Sequence, residues 1–157
     1  GKTIKVLDMG AGTGYVGFAA KDLGCDVTFV DINPAAIARI QEQQKRANVF
    51  ISDLFFRVPK RIQNVITFNT PYLPDEPLPE VVDEHTILVH DIALHGGPSG
   101  VDIAIRFLKQ VNRYIDDNSY ILMLVSDLGD IKLFENYLWG RGNLEGWGQD
   151  VKYSTPP

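Results

Sequence analysis

The chain has one cysteine, three histidines and no excess of basic residues, and each shortage closes off a class of function. Cys25 has no second thiol to pair with, which excludes an internal disulfide and fits a reducing, cytoplasmic setting. Its place at the start of an apolar run gives it the part of a small hydrophobe. His85, His90 and His95 recur every five residues, whereas ligands on one helix face need spacings of three or four, so no metal site is expected from them. With 15 Lys and Arg against 20 Asp and Glu the net charge is −5, which supplies no general attraction to phosphate and weighs against a nucleic-acid partner. No apolar run approaches the roughly 20 residues that span a bilayer, and the first residues lack the hydrophobic region of a signal peptide, so no membrane association is expected. Internal repeats, coiled-coil heptads and low-complexity tracts are missing as well.

What is present is a chain of 157 residues, 45% hydrophobic and 22% charged, sized for a single domain over 1–157 with a real core. Short apolar runs at Lys5-Val6-Leu7, Val27 to Val30, Val49-Phe50-Ile51, Val65 to Phe68 and Tyr120 to Val125 read as buried strands. Between them, Tyr15 to Leu23, Pro34 to Arg46, Val101 to Ile115 and Asp130 to Leu138 carry helical periodicity. Asn33 before Pro34 is a helix start, a side-chain cap followed by proline at the first helical position. The alternation predicts an α/β, Rossmann-like, doubly wound and mostly parallel sheet. Ligands of such sheets bind beyond the carboxyl ends of the strands. The glycine loop, Asp31, Asp53 and Asn69 each follow a predicted strand and are therefore expected to meet at one edge. From Leu73 to Gly100, prolines interleave with acids before regular patterning resumes, as expected of a substrate-facing flap.

Two motifs carry chemistry. Asp8-Met9-Gly10-Ala11-Gly12-Thr13-Gly14 offers a tight turn whose backbone can approach a nucleotide-like cofactor. Gly12 to Gly17 also satisfies the dinucleotide fingerprint G-x-G-x-x-G, with Asp31 about where a ribose-binding acid belongs, so a nicotinamide-dependent oxidoreductase competes at this point. The second motif is Asn69-Thr70-Pro71-Tyr72. A planar NH2 group is a poor nucleophile because its lone pair is delocalised, and it needs orientation more than deprotonation. The side-chain carbonyl of Asn69 and the backbone carbonyl of Thr70 can accept its two N–H bonds. Pro71 stiffens the turn and Tyr72 offers a flat face for stacking.

These residues, with Gly96-Gly97-Pro98-Ser99-Gly100 and the helical run after it, resemble the HemK-type protein glutamine methyltransferases, a class I S-adenosylmethionine-dependent group whose usual turn is Asn-Pro-Pro-Tyr. The likeness runs from Val6 to about Val125. It implies S-adenosyl-L-methionine as cofactor, with Asp8 toward its ammonium end directly or through water, and Gly10, Gly12 and Gly14 forming the loop. Asp31 is then expected on the ribose hydroxyls, Ile32 against the adenine face, Asp53 and Leu54 near the adenine edge, and Asn69 at the cofactor as well as the acceptor. The implied acceptor is a glutamine amide in a peptide-chain release factor; the alternative is the N6 amine of adenine in DNA or RNA. A small zinc-binding activator subunit is implied on the edge strand Val49–Ile51. A non-catalytic module that keeps the fold as a partner's scaffold also remains open.

Two departures stand out. Family members carry an acidic, proline-containing segment ahead of the first strand, whereas this chain opens on that strand at Gly1, so elements at both ends are expected to be incomplete. Thr70 replaces the first proline of the turn. If it only presents a carbonyl, Thr70→Pro is expected to retain activity.

Overall fold

A computed structural model describes residues 3–75 and 93–140. In chain order these form β1 (Lys5–Met9), α1 (Tyr15–Asp22), β2 (Asp26–Asp31), α2 (Pro34–Gln43), β3 (Asn48–Ile51), β4 (Val65–Asn69), α3 (Asp102–Val111), β5 (Tyr120–Leu124) and α4 (Ile131–Trp139). The strands make one five-stranded sheet in the order β3-β2-β1-β4-β5, with every pairing parallel. The expected parallel, doubly wound architecture is therefore present, without an antiparallel member among the described residues.

The sheet feeds two cores because successive side chains on a strand point to opposite faces. On one face Val6, Val27 and Phe29 meet Ile37 and Ile40 of α2, with Phe18 of α1 and Cys25 packed against them. On the other, Leu7, Met9, Val30, Ile66 and Phe68 meet Ala104, Phe107, Leu108 and Val111 of α3 and Phe134 of α4. Those four α3 residues stand at i, i+3, i+4 and i+7, one stripe of a helix, which is why the helix lies flat on the sheet.

Local chemistry sets the helix ends. Asn33 accepts the Ala35 N–H at 2.9 Å and Pro34 opens α2, as the sequence predicts. The helix stops at Gln43, short of the expected Arg46. Helix α3 likewise ends at Val111 and not at Ile115. Tyr114 turns inward to stack on Phe55, with ring centroids 4.3 Å apart, and donates its hydroxyl to the Val58 carbonyl at 3.0 Å. Its apolar bulk extends the helical period in the sequence, but its contacts require the chain to leave the helix.

Helix α1 approaches the sheet more closely than a side chain would permit. A Cβ on Gly17 would overlap the ring of Phe29 and lie 2.9 Å from the Asp8 carboxylate. Gly17→Ala should lower stability by about 1–3 kcal/mol through overpacking. Gly24→Ala has open space around it and only its φ of +85° to oppose it, so it should cost roughly 1 kcal/mol. Thermal melts of the two variants test this, and equal melting temperatures would remove the packing role of Gly17.

Candidate active site

The strand order reverses between β1 and β4. From β1 the chain builds outward through β2 to β3 at the edge, then returns to lay β4 on the other side of β1. The connections from β1 and β4 thus leave in opposite directions, and in sheets of this kind that switch point beyond the carboxyl ends is where ligands bind. Met9 is level with Val30 on one side and Phe68 on the other, Asp31 with Ile51, and Asn69 with Leu124. The residues that follow these ends are brought together as the sequence predicts.

The loop after β1 turns through left-handed conformations at Gly10, Gly12 and Gly14, with φ of 64°, 54° and 79°. It is tied down by the Ala11 N–H donating to the Val30 carbonyl at 2.9 Å and the Gly14 N–H to the Ala11 carbonyl at 2.7 Å. A Cβ built on Gly12 would find only the Gly10 carbonyl, 3.9 Å away, so the loop's surface is open there to a ligand. Gly14 precedes α1 with no side-chain cap. The first-turn amides therefore lack partners within the helix, an arrangement suited to a carboxylate. These features fit a nucleoside cofactor that carries an amino-acid tail.

Asp31 is 9% exposed, and its carboxylate accepts the Gly12 N–H and the Asn33 N–H, both at 2.8 Å. One residue thus shapes the glycine loop and the start of α2, and spare lone pairs remain for ribose hydroxyls. Ile32, 43% exposed at the same strand end, can face a ring.

Asp8 is tied into the framework. At 4% exposure its carboxylate is committed inward, accepting the Gly17 N–H at 2.9 Å and the Thr67 hydroxyl at 2.8 Å. It caps the third amide of α1. Burial raises its pKa and the two hydrogen bonds oppose the rise, while the nearby Asp31 charge adds to it. Leu54 lies beside Asp53 with its side chain turned inward. Its side chain is 6% exposed in the core and its φ is +47°, so any adenine contact there belongs to backbone. Asp53 is half-exposed and ion-paired with Arg106 of α3 at 2.7 Å.

Asn69 ends β4 exposed at the switch point. Thr70 is 2% exposed and does more than present a carbonyl: its hydroxyl donates to the Leu124 carbonyl at 2.7 Å and its N–H to the same oxygen at 3.3 Å. The first residue of the turn is thereby stitched to β5, and proline in its place would lack both donors. Beyond it, the N–H groups of Tyr72 and Leu73 both donate to the Leu94 carbonyl, at 3.0 and 2.9 Å, and the Gly96 N–H donates to Leu73 at 2.8 Å.

The glycine segment at 96–100 is the backing of this turn. A Cβ on Gly96 would stand 2.5 Å from the Pro71 carbonyl, and one on Gly100 2.6 Å from the Tyr72 carbonyl. Ser99 closes the segment onto α3, donating its N–H and hydroxyl to Asp102 at 2.7 and 2.6 Å. His95 pairs in a short bridge with Leu73. His85, His90 and most of the expected flap lie outside the described residues, and no metal-binding cluster of His, Cys, Asp or Glu occurs among the described ones.

Sequence reasoning missed Thr67, Arg106 and the interlock of the two loops. Thr67 had a signal, a lone hydroxyl inside the apolar run 65–68. The interlock had none, since 25 residues separate Pro71 from Gly96.

Comparison with known proteins gives a consistent result. Residues 6–91 match the model of a methyltransferase domain family. A Methanocaldococcus jannaschii protein assigned as a protein N5-glutamine methyltransferase is 35% identical over 132 residues, covering 81% of this chain and 64% of its own length. The ribosomal protein uL3 glutamine methyltransferase of Francisella tularensis is 28% identical, covering 78% of this chain and 41% of its own length. The chain thus spans less than two-thirds of either relative. Among solved structures, the E. cuniculi Mtq2–Trm112 complex, responsible for methylation of the eRF1 termination factor, shares the fold with a TM-score of 0.60 at 23% identity, over 90% of this chain and 72% of that one. No helix among the described residues is long and apolar enough to cross a membrane.

Thr70→Pro removes both donors to the Leu124 carbonyl, so it should destabilise the domain by about 1–3 kcal/mol. Thr70→Ser, which keeps both, should stay within roughly 1 kcal/mol of wild type. Urea denaturation of the two variants decides it: a proline variant as stable as the serine one would return Thr70 to a carbonyl-only role.

Proposed function

The chain belongs to the methyltransferase domain family, and from that membership we propose that it is an S-adenosyl-L-methionine-dependent N-methyltransferase of the HemK type acting on a protein glutamine. The acceptor proposed is the side-chain amide of a glutamine in a peptide-chain release factor. The observation that carries this reading is the turn Asn69 to Tyr72, exposed at Asn69, pinned through Thr70 to β5 and backed by Gly96 and Gly100 at the strand switch. A rigid pair of acceptors suits a planar amide, whose nitrogen must be aimed without first being deprotonated.

When bound, the cofactor supplies an electrophilic methyl group. The chain's own part is to hold and to orient. Gly10, Gly12 and Gly14 give the loop its shape, the Asp31 carboxylate keeps Gly12 in place and reaches the ribose, and Ile32 and Asp53 line the adenine end. Asn69 and the Thr70 carbonyl receive the two amide hydrogens, and Tyr72 lies against the amide plane. As the methyl passed from the sulfonium sulfur to the nitrogen, leaving a neutral thioether, those two carbonyl dipoles would stabilise the positive charge developing on the nitrogen, and its proton would then pass to solvent. Net acidity and the glutamine methyltransferases among the relatives support a protein acceptor over adenine. Strand β3 lies at the edge of the sheet, with Ile51 exposed, and we place a small zinc-binding activator subunit there by strand addition to Val49–Ile51.

Radiolabelled methyl transfer onto release factor, ribosomal protein uL3 and nucleic acid tests reaction and substrate together. Label on the release factor is the expected result, and label only on nucleic acid would replace the acceptor. Asn69→Ala should reduce transfer roughly 100-fold with cofactor affinity little changed. Asp31→Ala should weaken cofactor binding at least about tenfold, since it loses a ribose acceptor and the Gly12 anchor together. Calorimetry with S-adenosylmethionine separates the two outcomes, and full activity in Asn69→Ala would leave that residue a plain turn former.

A further inference from the structure

Two hydrogen bonds to the Asp8 carboxylate join β4, the strand that ends at Asn69, to the first turn of α1 behind the glycine loop. Thr67 sits on β4 two residues before Asn69, paired in register with Asp8 of β1. Its hydroxyl donates to one oxygen of Asp8 at 2.8 Å, across a rung of the sheet. The other oxygen of Asp8 accepts the Gly17 N–H at 2.9 Å, inside the first turn of α1. Thr67 is half-buried on the face of β4 that also carries Val65, opposite the one on which Ile66 and Phe68 enter the core, and its hydroxyl is bonded there to Asp8. Asp8 has more at stake, because a buried carboxylate depends on every donor it has.

The groups facing Asp8 are few. From β4 comes the Thr67 hydroxyl, from α1 the Gly17 amide, and from β2 the Asp31 charge. The two donors favour the ionised carboxylate, whereas burial and Asp31 oppose it. Removing one donor therefore shifts a balance and does not merely leave a hole. We propose that Thr67 is a positioning residue of the cofactor site: its hydroxyl fixes the Asp8 carboxylate against the Gly17 amide and so holds the first turn of α1, and the glycine loop before it, in the shape that receives the cofactor. The same bond ties that loop to the strand that presents Asn69. This inference rests on the cofactor reading given above.

Thr67→Val keeps the shape of the side chain and removes the donor. The sign of its pH effect follows from losing a bond to the charged form: the Asp8 carboxyl of the variant protonates at higher pH than in wild type, so its cap on Gly17 weakens sooner as pH falls. Calorimetry of the full chain with S-adenosylhomocysteine should show affinity lower by about five- to tenfold at pH 7.5 and by more at pH 5.5. Thr67→Ser should restore wild-type affinity and its pH dependence. Amide exchange at Gly17, measured without ligand, should quicken in the valine variant and recover in the serine one. Should valine prevent folding, Thr67→Ala against Thr67→Ser makes the same comparison. A folded Thr67→Val protein with wild-type affinity at both pH values overturns the inference, as does a pH-independent loss without faster Gly17 exchange. A wild-type chain that does not bind S-adenosylhomocysteine overturns the cofactor reading itself.

Discussion

The approach of α1 to β1 and β2 at Gly17 is the constraint on which the rest of the site depends. Without a side chain at that position, Phe29 packs under the helix and the Asp8 carboxylate reaches its third amide. The helix axis is thereby set close over the end of β1, and the loop between them must turn within a few residues. That turn is what requires left-handed conformations at Gly12 and Gly14. Asp31 then completes the arrangement from β2, holding the Gly12 amide with one oxygen and the Asn33 amide with the other. Two carboxylates buried in the framework thus build the loop mainly by accepting backbone hydrogen bonds, a role in which their charge is stabilised by fixed dipoles and not by solvent.

The acceptor side is built by a different device, backbone against backbone. Thr70 is stitched to β5, while Pro71 and Tyr72 lie on Gly96 and Gly100 at distances no side chain would allow. Ser99 and Asp102 lock the glycine segment onto α3, and the Asp130 N–H donates to the Ser99 carbonyl at 2.8 Å from the start of α4. A turn supported on both sides in this way can hold two carbonyls in one geometry, which orientation catalysis requires. Threonine at the first position of the turn supplies by hydrogen bonding the stiffness that proline supplies by its ring.

Side-chain contacts cross from one half of the sheet to the other at several places, two of them near the site. Thr67 with Asp8 does so beneath the loop, and Arg106 with Asp53 does so at the rim. The second is half-exposed and so contributes little to stability, but it joins the loop after β3 to α3. On the outer side of β5, Tyr120, Leu122 and Leu124 are each more than half exposed and form an apolar stripe on the same face as Val65 and Thr67.

Periodicity and turn chemistry were sufficient to determine the strands, the helices, the parallel winding and the meeting of Gly10, Asp31, Asp53 and Asn69 at one edge. These follow from local rules, since an alternating or helical pattern and a cap such as Asn33 act over a few residues. The same rules overran α3, because the apolar Tyr114 continues the helical period while its stacking on Phe55 takes it out of the helix. What only the tertiary structure decided is the use to which each polar residue is put. Asp8, singled out in the sequence for the cofactor, is bonded to the Thr67 hydroxyl as well as to the Gly17 amide, and Thr70, singled out for its carbonyl, is anchored to the Leu124 carbonyl. The physical reason is common to both. A polar group takes the partner that burial leaves within reach, and for Asp8 and Thr70 that partner lies 59 and 54 residues away in sequence and one strand away in space.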